Sequence, residues 1–154
     1  VSVVLLTNYG SGGLGSIGNA LLMSPQPPAP FFPVAHVKIE SGQVSSSLMA
    51  HEIGHNVGSS HTHWCGWAAD PALSFSGGPI DNCVNVQGSC PNNPTPQVGT
   101  IMSYCHTTSS GALIDFHPVV VSQALNPGIN NAKPKLNLED LSDEPCCTPD
   151  GNCC

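Results

Sequence analysis

The chain carries His51, Glu52, His55, Gly58 and His61 in the register H-E-x-x-H-x-x-G-x-x-H, and that register leaves little freedom in local structure. His51 and His55 are four residues apart, so on an α-helix they share one face with Cβ atoms about 5–6 Å apart. Gly58 follows His55 by three residues, where glycine takes the left-handed conformation that stops a helix without a Cβ penalty. The chain can then turn and return His61 to the first two histidines. The spacing predicts a helix over about 45–57. Ser45, Ser46 and Ser47 offer N-cap oxygens, and Met49, Ile53 and Val57 recur every four residues as an apolar stripe. That stripe lies largely away from the His51/His55 face. The expectation is a helix that buries one side and presents its histidines on another.

Three imidazoles at these offsets suit one zinc ion, whose bonds to histidine nitrogen run about 2.0–2.1 Å. Three protein ligands leave a fourth position open, which is the arrangement of a catalytic rather than a structural site. Glu52 stands about 100° around the helix from His51. It can lean over a metal without binding it, as a general base does. Two rival readings use the same residues. The histidines could be incidental on a helix, or the site could be structural and closed by a fourth ligand, with Cys65 the nearest candidate. The glycine and third histidine constrain the pattern beyond a bare H-E-x-x-H.

With this motif and the run Gly99-Thr100-Ile101-Met102-Ser103-Tyr104-Cys105, the chain resembles the metzincin zinc peptidases, whose signature is the eleven-residue motif followed by a methionine-containing turn. It is most similar to the reprolysin/adamalysin-like secreted peptidases, their microbial members in particular. His61-Thr62-His63-Trp64-Cys65-Gly66-Trp67, Ile80-Asp81-Asn82-Cys83 and Thr100 to Cys105 carry that closer likeness. The resemblance covers roughly Val1 to Leu125 and is strongest over 48–105. It implies an α+β, metzincin-like zincin fold: a mixed sheet packed on the zinc-site helix, and an irregular C-terminal subdomain after the third histidine. It implies His51, His55 and His61 as zinc ligands, Glu52 as general base and Met102 as the hydrophobic floor beneath the metal. A protein or peptide substrate would be hydrolysed by zinc-activated water. Tyr104 stands two residues after Met102. In the astacin and serralysin branches a tyrosine there can ligate zinc or stabilise an oxyanion, whereas many adamalysins lack it. The other reading is a buried aromatic whose hydroxyl finds a partner.

The resemblance further implies an edge strand from Leu14 to about Ala20 beside the cleft, able to accept an extended peptide as an added strand. It also implies that His106 to Phe116 line the pocket on the leaving-group side. Two positions depart from the animal adamalysins. Thr62 replaces their usual aspartate after the third histidine, and Thr100 replaces a cysteine, with Cys105 three residues after Met102. Animal-type disulfide connectivity therefore does not transfer. Fifty residues precede His51, fewer than the metzincin subdomain uses, so the first strands and first helix of that fold are expected to be lacking.

Eight cysteines in 154 residues, with no four-cysteine zinc pattern, point to an oxidising compartment and a secreted protein. Cys65, Cys83, Cys90 and Cys105 are disulfide candidates around the loop after the helix, and Cys83–Cys90 with Cys65–Cys105 is the favoured pairing. Cys146, Cys147, Cys153 and Cys154 cluster separately. The expected organisation is a catalytic domain over 1–126, a linker over 127–145, and a cysteine-rich tail or further module over 146–154. The tail resembles part of a disintegrin-like module; a small disulfide knot is the alternative. A net charge of −7, with three lysines and no arginine, makes nucleic acid a poor partner. No segment is long and apolar enough to span a membrane.

Val1 to Thr7 and Val34 to Ile39 read as short strands, and the five prolines of 25–33 as loop. Glycine-rich 10–18 lacks the G-K-[ST] of a phosphate loop. From 59 to 98 the chain reads as an irregular loop packed by Trp64 and Trp67, with His63 favoured as facing solvent and support of the zinc ligands as its alternative. His117 should stand at the start of a final helix with Pro118 in its first turn, and not as a ligand. Activity should fall below the ordinary histidine pKa of about 6.5, because protonated imidazole cannot ligate metal. The competing functional reading is a catalytically inactive metzincin-like module used for adhesion together with its cysteine-rich tail.

Overall fold

The computed structural model of the chain describes residues 3–7, 13–15, 34–38, 46–90, 99–109, 111 and 115–133. Three strands, β1 (Val3–Thr7), β2 (Gly13–Gly15) and β3 (Val34–Lys38), form a small mixed sheet in the order β1-β3-β2. β1 is parallel to β3 and β2 antiparallel to it. The strands expected at 1–7 and 34–39 are present. β2 takes the edge position and opens one residue before Leu14, which is 73% exposed. Residues 16–20 of the expected edge strand lie outside the described residues, as do 25–33 and 91–98.

Helix α1 (Ser46–Val57) matches the predicted helix and packs on β2 and β3. Its opposite side meets the core, formed by Trp67, Ile80, Ile101, Met102, Val119, Val120 and Ala124. The helix is thus clamped on two sides. As a result the histidine face, not the Met49/Ile53/Val57 stripe, is the more buried: His51, Glu52, Gly54, His55 and Asn56 are buried, while the stripe is half-buried. Gly54 explains the reversal. A Cβ there would sit 2.6 Å from Met102 Sδ, so the missing side chain lets the helix settle onto the methionine. On the sheet side, a Cβ at Gly13 would collide with the Glu52 carboxylate.

The irregular stretch after α1 is held by backbone pairing between segments distant in sequence. Gln87 N donates to His63 O (2.8 Å) and Cys65 N donates to Gln87 O (2.9 Å). Ile80 N donates to Thr62 O (2.8 Å), and Thr62 N to Met102 O (3.0 Å). The first pair lays 87–90 beside 63–65; the second lays 80–83 beside the methionine turn. The disulfides follow as Cys65–Cys90 and Cys83–Cys105, with Cα separations of 5.6 and 4.9 Å. All four candidate cysteines are bonded, but the expected pairing of Cys83–Cys90 and Cys65–Cys105 is overturned. The hydrogen bonds carry Cys83 and Cys90 to different neighbours.

His117 caps the next helix: its Nδ1 accepts from Val119 N at 3.2 Å, and Pro118 opens α2 (Pro118–Val120). A π-helical turn, Val121–Leu125, leads into α3 (Asn126–Ala132). Pro127 has no N–H for the helical ladder and its ring crowds the carbonyl four residues back; the wider turn before it relieves that conflict. The chain stays helical to Ala132. The reason is packing: Gly128 is buried against α1, where a Cβ would lie 2.7 Å from Val57 Cγ1. Residues 134–154, with the four tail cysteines, lie outside the described residues. No described helix is long and apolar enough to cross a membrane.

Candidate metal centre

α1 stops as the glycine offset requires. Gly58 has φ 116°, its N–H donates to His55 O (2.9 Å), and Ser59 N donates to Gly54 O (2.9 Å). This is the paired 5→2 and 6→1 hydrogen bonding of a Schellman stop. The chain then doubles back, and Trp67 Nε1 fastens the returning segment by donating to His61 O at 3.0 Å. His51, His55 and His61 come together with ring centroids 4.6–5.2 Å apart. One ligand nitrogen from each lies within 4.8 Å of the others, so the three could hold a metal ion.

The hydrogen bonds set the tautomers. His51 Nδ1 donates to Ile101 O (2.5 Å), His55 Nδ1 to Ser59 O (2.7 Å) and His61 Nδ1 to Gln87 Oε1 (3.1 Å). A carbonyl oxygen can only accept, so each Nδ1 carries the proton and each Nε2 keeps a lone pair. His55 Nε2 and His61 Nε2 are 3.1 Å apart. Two lone pairs facing each other repel, and a cation between them resolves the conflict. A tetrahedral ion with bonds of about 2.0–2.1 Å sets its ligand nitrogens about 3.3 Å apart. Oxygen partners on the outer ring nitrogens are also what ligating histidines ordinarily have. The residues present therefore fit a divalent metal ion.

Electrostatics agree. Burial pushes the His51 pKa down to about 4, against the pull of the Ile101 carbonyl and with help from His55, His61 and His106. Burial likewise lowers His55 and His61, opposed by the Ser59 carbonyl and the Gln87 side chain respectively. In the metal-free protein burial therefore favours the neutral form of each imidazole. Glu52 goes the other way. It is 4% exposed, and burial lifts its carboxyl to about 7.

Tyr104 faces the same site, its ring 4.7 Å from that of His61 and 5.8 Å from that of His51. Burial, then the Glu52 carboxylate, raises its hydroxyl pKa, keeping it protonated. Met102 is fully buried beneath α1. Its turn is tied by Ser103 Oγ, which donates to Thr100 O (2.8 Å) and accepts from Thr100 N (3.0 Å). Thr62 joins motif to turn, since its Oγ1 also donates to Met102 O (3.2 Å). Cys65 is bonded to Cys90 and is not a fourth ligand. Asp81 lies with the sulfurs of Cys83 and Cys105, but those are spent in a disulfide. Of the pocket expected over 106–116, residues 110 and 112–114 lie outside the described residues. Phe116 packs on the core.

The motif left other residues unseen. His63, expected in solvent, is 2% exposed and stacks on His61 at 4.8 Å with an 11° tilt. Loop folding, not local pattern, buries it. Asp81 is buried, and its charge favours the protonated forms of His61, His63 and His117. Gly54 and Gln87 each fix part of the site, and neither carries a sequence signal beyond its residue type. Against known proteins, a reprolysin-type family model described as metallo-peptidase family M12 matches residues 1–113, from β1 past the methionine turn. None of the curated proteins matches the chain.

Proposed function

Because this chain belongs to metallo-peptidase family M12, we propose that it is a secreted zinc endopeptidase with a metzincin-type catalytic domain. The observation that carries the reading is the convergence of three Nε2 lone pairs whose Nδ1 protons are already given to oxygen. His51, His55 and His61 would hold the ion. Bound zinc supplies a Lewis acid for the scissile carbonyl and lowers the pKa of water toward about 7.

Glu52 is the general base. Its pKa of about 7 matches neutral operation, where a base both accepts and returns a proton readily. As the water oxygen bonds to the carbonyl carbon, Glu52 takes the water's proton; as the C–N bond breaks, it delivers that proton to the leaving amine. Tyr104, held protonated, donates a hydrogen bond to the developing oxyanion. Met102 acts by packing beneath the histidines. β2 has a single neighbouring strand among the described residues, and its free edge beside Glu52 accepts an extended peptide backbone. The disulfides support a secreted setting. The catalytic unit runs from the sheet through α3.

The test is hydrolysis of an unstructured protein by the zinc-loaded full chain. Turnover should vanish on chelation and return with zinc. Full activity in Glu52→Gln would remove Glu52 as the base. One bound zinc with no turnover would favour the adhesion-module reading instead.

A further inference from the structure

The three outer hydrogen bonds are not equivalent. His51 and His55 give their Nδ1 protons to backbone carbonyls, Ile101 O and Ser59 O. His61 alone gives its proton to a side chain, Gln87 Oε1. That side chain is placed by its own backbone, which accepts from Cys65 N and donates to His63 O, and by the Cys65–Cys90 disulfide three residues on. Together with Trp67 on the His61 carbonyl and His63 stacked on the ring, Gln87 completes a frame around the one ligand that the helix does not supply.

We propose that Gln87 is a positioning residue for the metal site: its amide oxygen fixes the tautomer and ring orientation of His61, and with them the affinity for zinc. The inference rests on the reading of His61 as a ligand. Because Gln87 is exposed, water can partly replace its amide when it is lost. The effect then belongs at the lower end of the 10–100-fold range typical of such partners.

The experiment uses the full chain, stripped of metal and titrated with zinc against a chromophoric chelator at neutral pH. Gln87→Met keeps the length of the side chain and removes the acceptor; Gln87→Glu keeps an acceptor. Zinc should bind about tenfold more weakly to Gln87→Met, and at least as tightly to Gln87→Glu as to the unsubstituted chain. Thermal midpoints of the metal-free forms should coincide. Equal affinity in Gln87→Met overturns the proposal, as does equal weakening in both variants, which would mark a loop perturbation. If the unsubstituted chain takes up no zinc, the zinc-peptidase reading falls and carries this inference with it.

Discussion

α1 and the stapled loop over 59–90 contribute to the same three-histidine centre by opposite means. α1 places His51 and His55 by helical period, and main-chain carbonyls beyond its end, Ile101 O and Ser59 O, steady the two rings. The loop places His61 through contacts distant in sequence: Trp67 Nε1, Gln87 Oε1, the Thr62–Met102 and Thr62–Ile80 hydrogen bonds and two disulfides. Local geometry can supply two ligands to a metal site. The third requires a folded surround, and in an irregular segment that surround is stapled covalently.

The largest effect should fall on α1. Glu52→Gln should lower kcat by about 10²–10⁴-fold while zinc stoichiometry stays at one, as measured by metal analysis alongside turnover. A lost zinc in that variant would blur the division, because the base would then be needed to build the site. The loop should answer in stability. Replacing Cys83 and Cys105 together by serine opens a 22-residue separation and should cost about 3 kcal/mol in urea unfolding. Peptide mapping of the untreated chain should recover Cys65–Cys90 and Cys83–Cys105 cross-links.

The buried groups of α1 give a pH signature. His51 has a folded pKa of about 4 against 6.5 for the free group. Its contribution is complete above pH 6.5 and is lost as pH falls through about 4. Urea unfolding of the metal-free chain should weaken across that window, and less so in His51→Leu. Glu52 acts with the reverse sign. Its folded pKa of about 7 lies above the free value of 4.5, so its contribution is complete below 4.5 and is lost as pH rises through 7. Metal-free Glu52→Gln should therefore be the more stable form above neutrality, by up to about 3 kcal/mol. The smallest effect concerns the junction between the two regions. Gly58→Ala places a Cβ at φ 116° and should cost about 1–2 kcal/mol, read from the same unfolding curves.

This division also explains what was legible in the sequence. α1, its glycine stop and the histidine triad follow from offsets within a few residues, Met102 from the family resemblance, and β1 and β3 from short apolar runs. The disulfide pairing was not legible, because it depends on Gln87 lying beside His63 and Cys65, a relation that no local period encodes. The burial of His63 and Asp81 belongs with it. Gly54 was hidden differently: it reads as a poor helix former, and only the approach of Met102 shows why a side chain is absent there. Thr62, where the animal relatives usually carry aspartate, joins the histidine motif to the methionine turn through two hydrogen bonds to Met102 O.

His51, His55 and His61 should be the only protein ligands of one zinc. X-ray absorption on the zinc-loaded full chain tests it directly. Three imidazole nitrogens and one further light atom are expected at about 2.0–2.1 Å. A sulfur shell near about 2.3 Å, or a spectrum unchanged on replacing His61 by alanine, would contradict it.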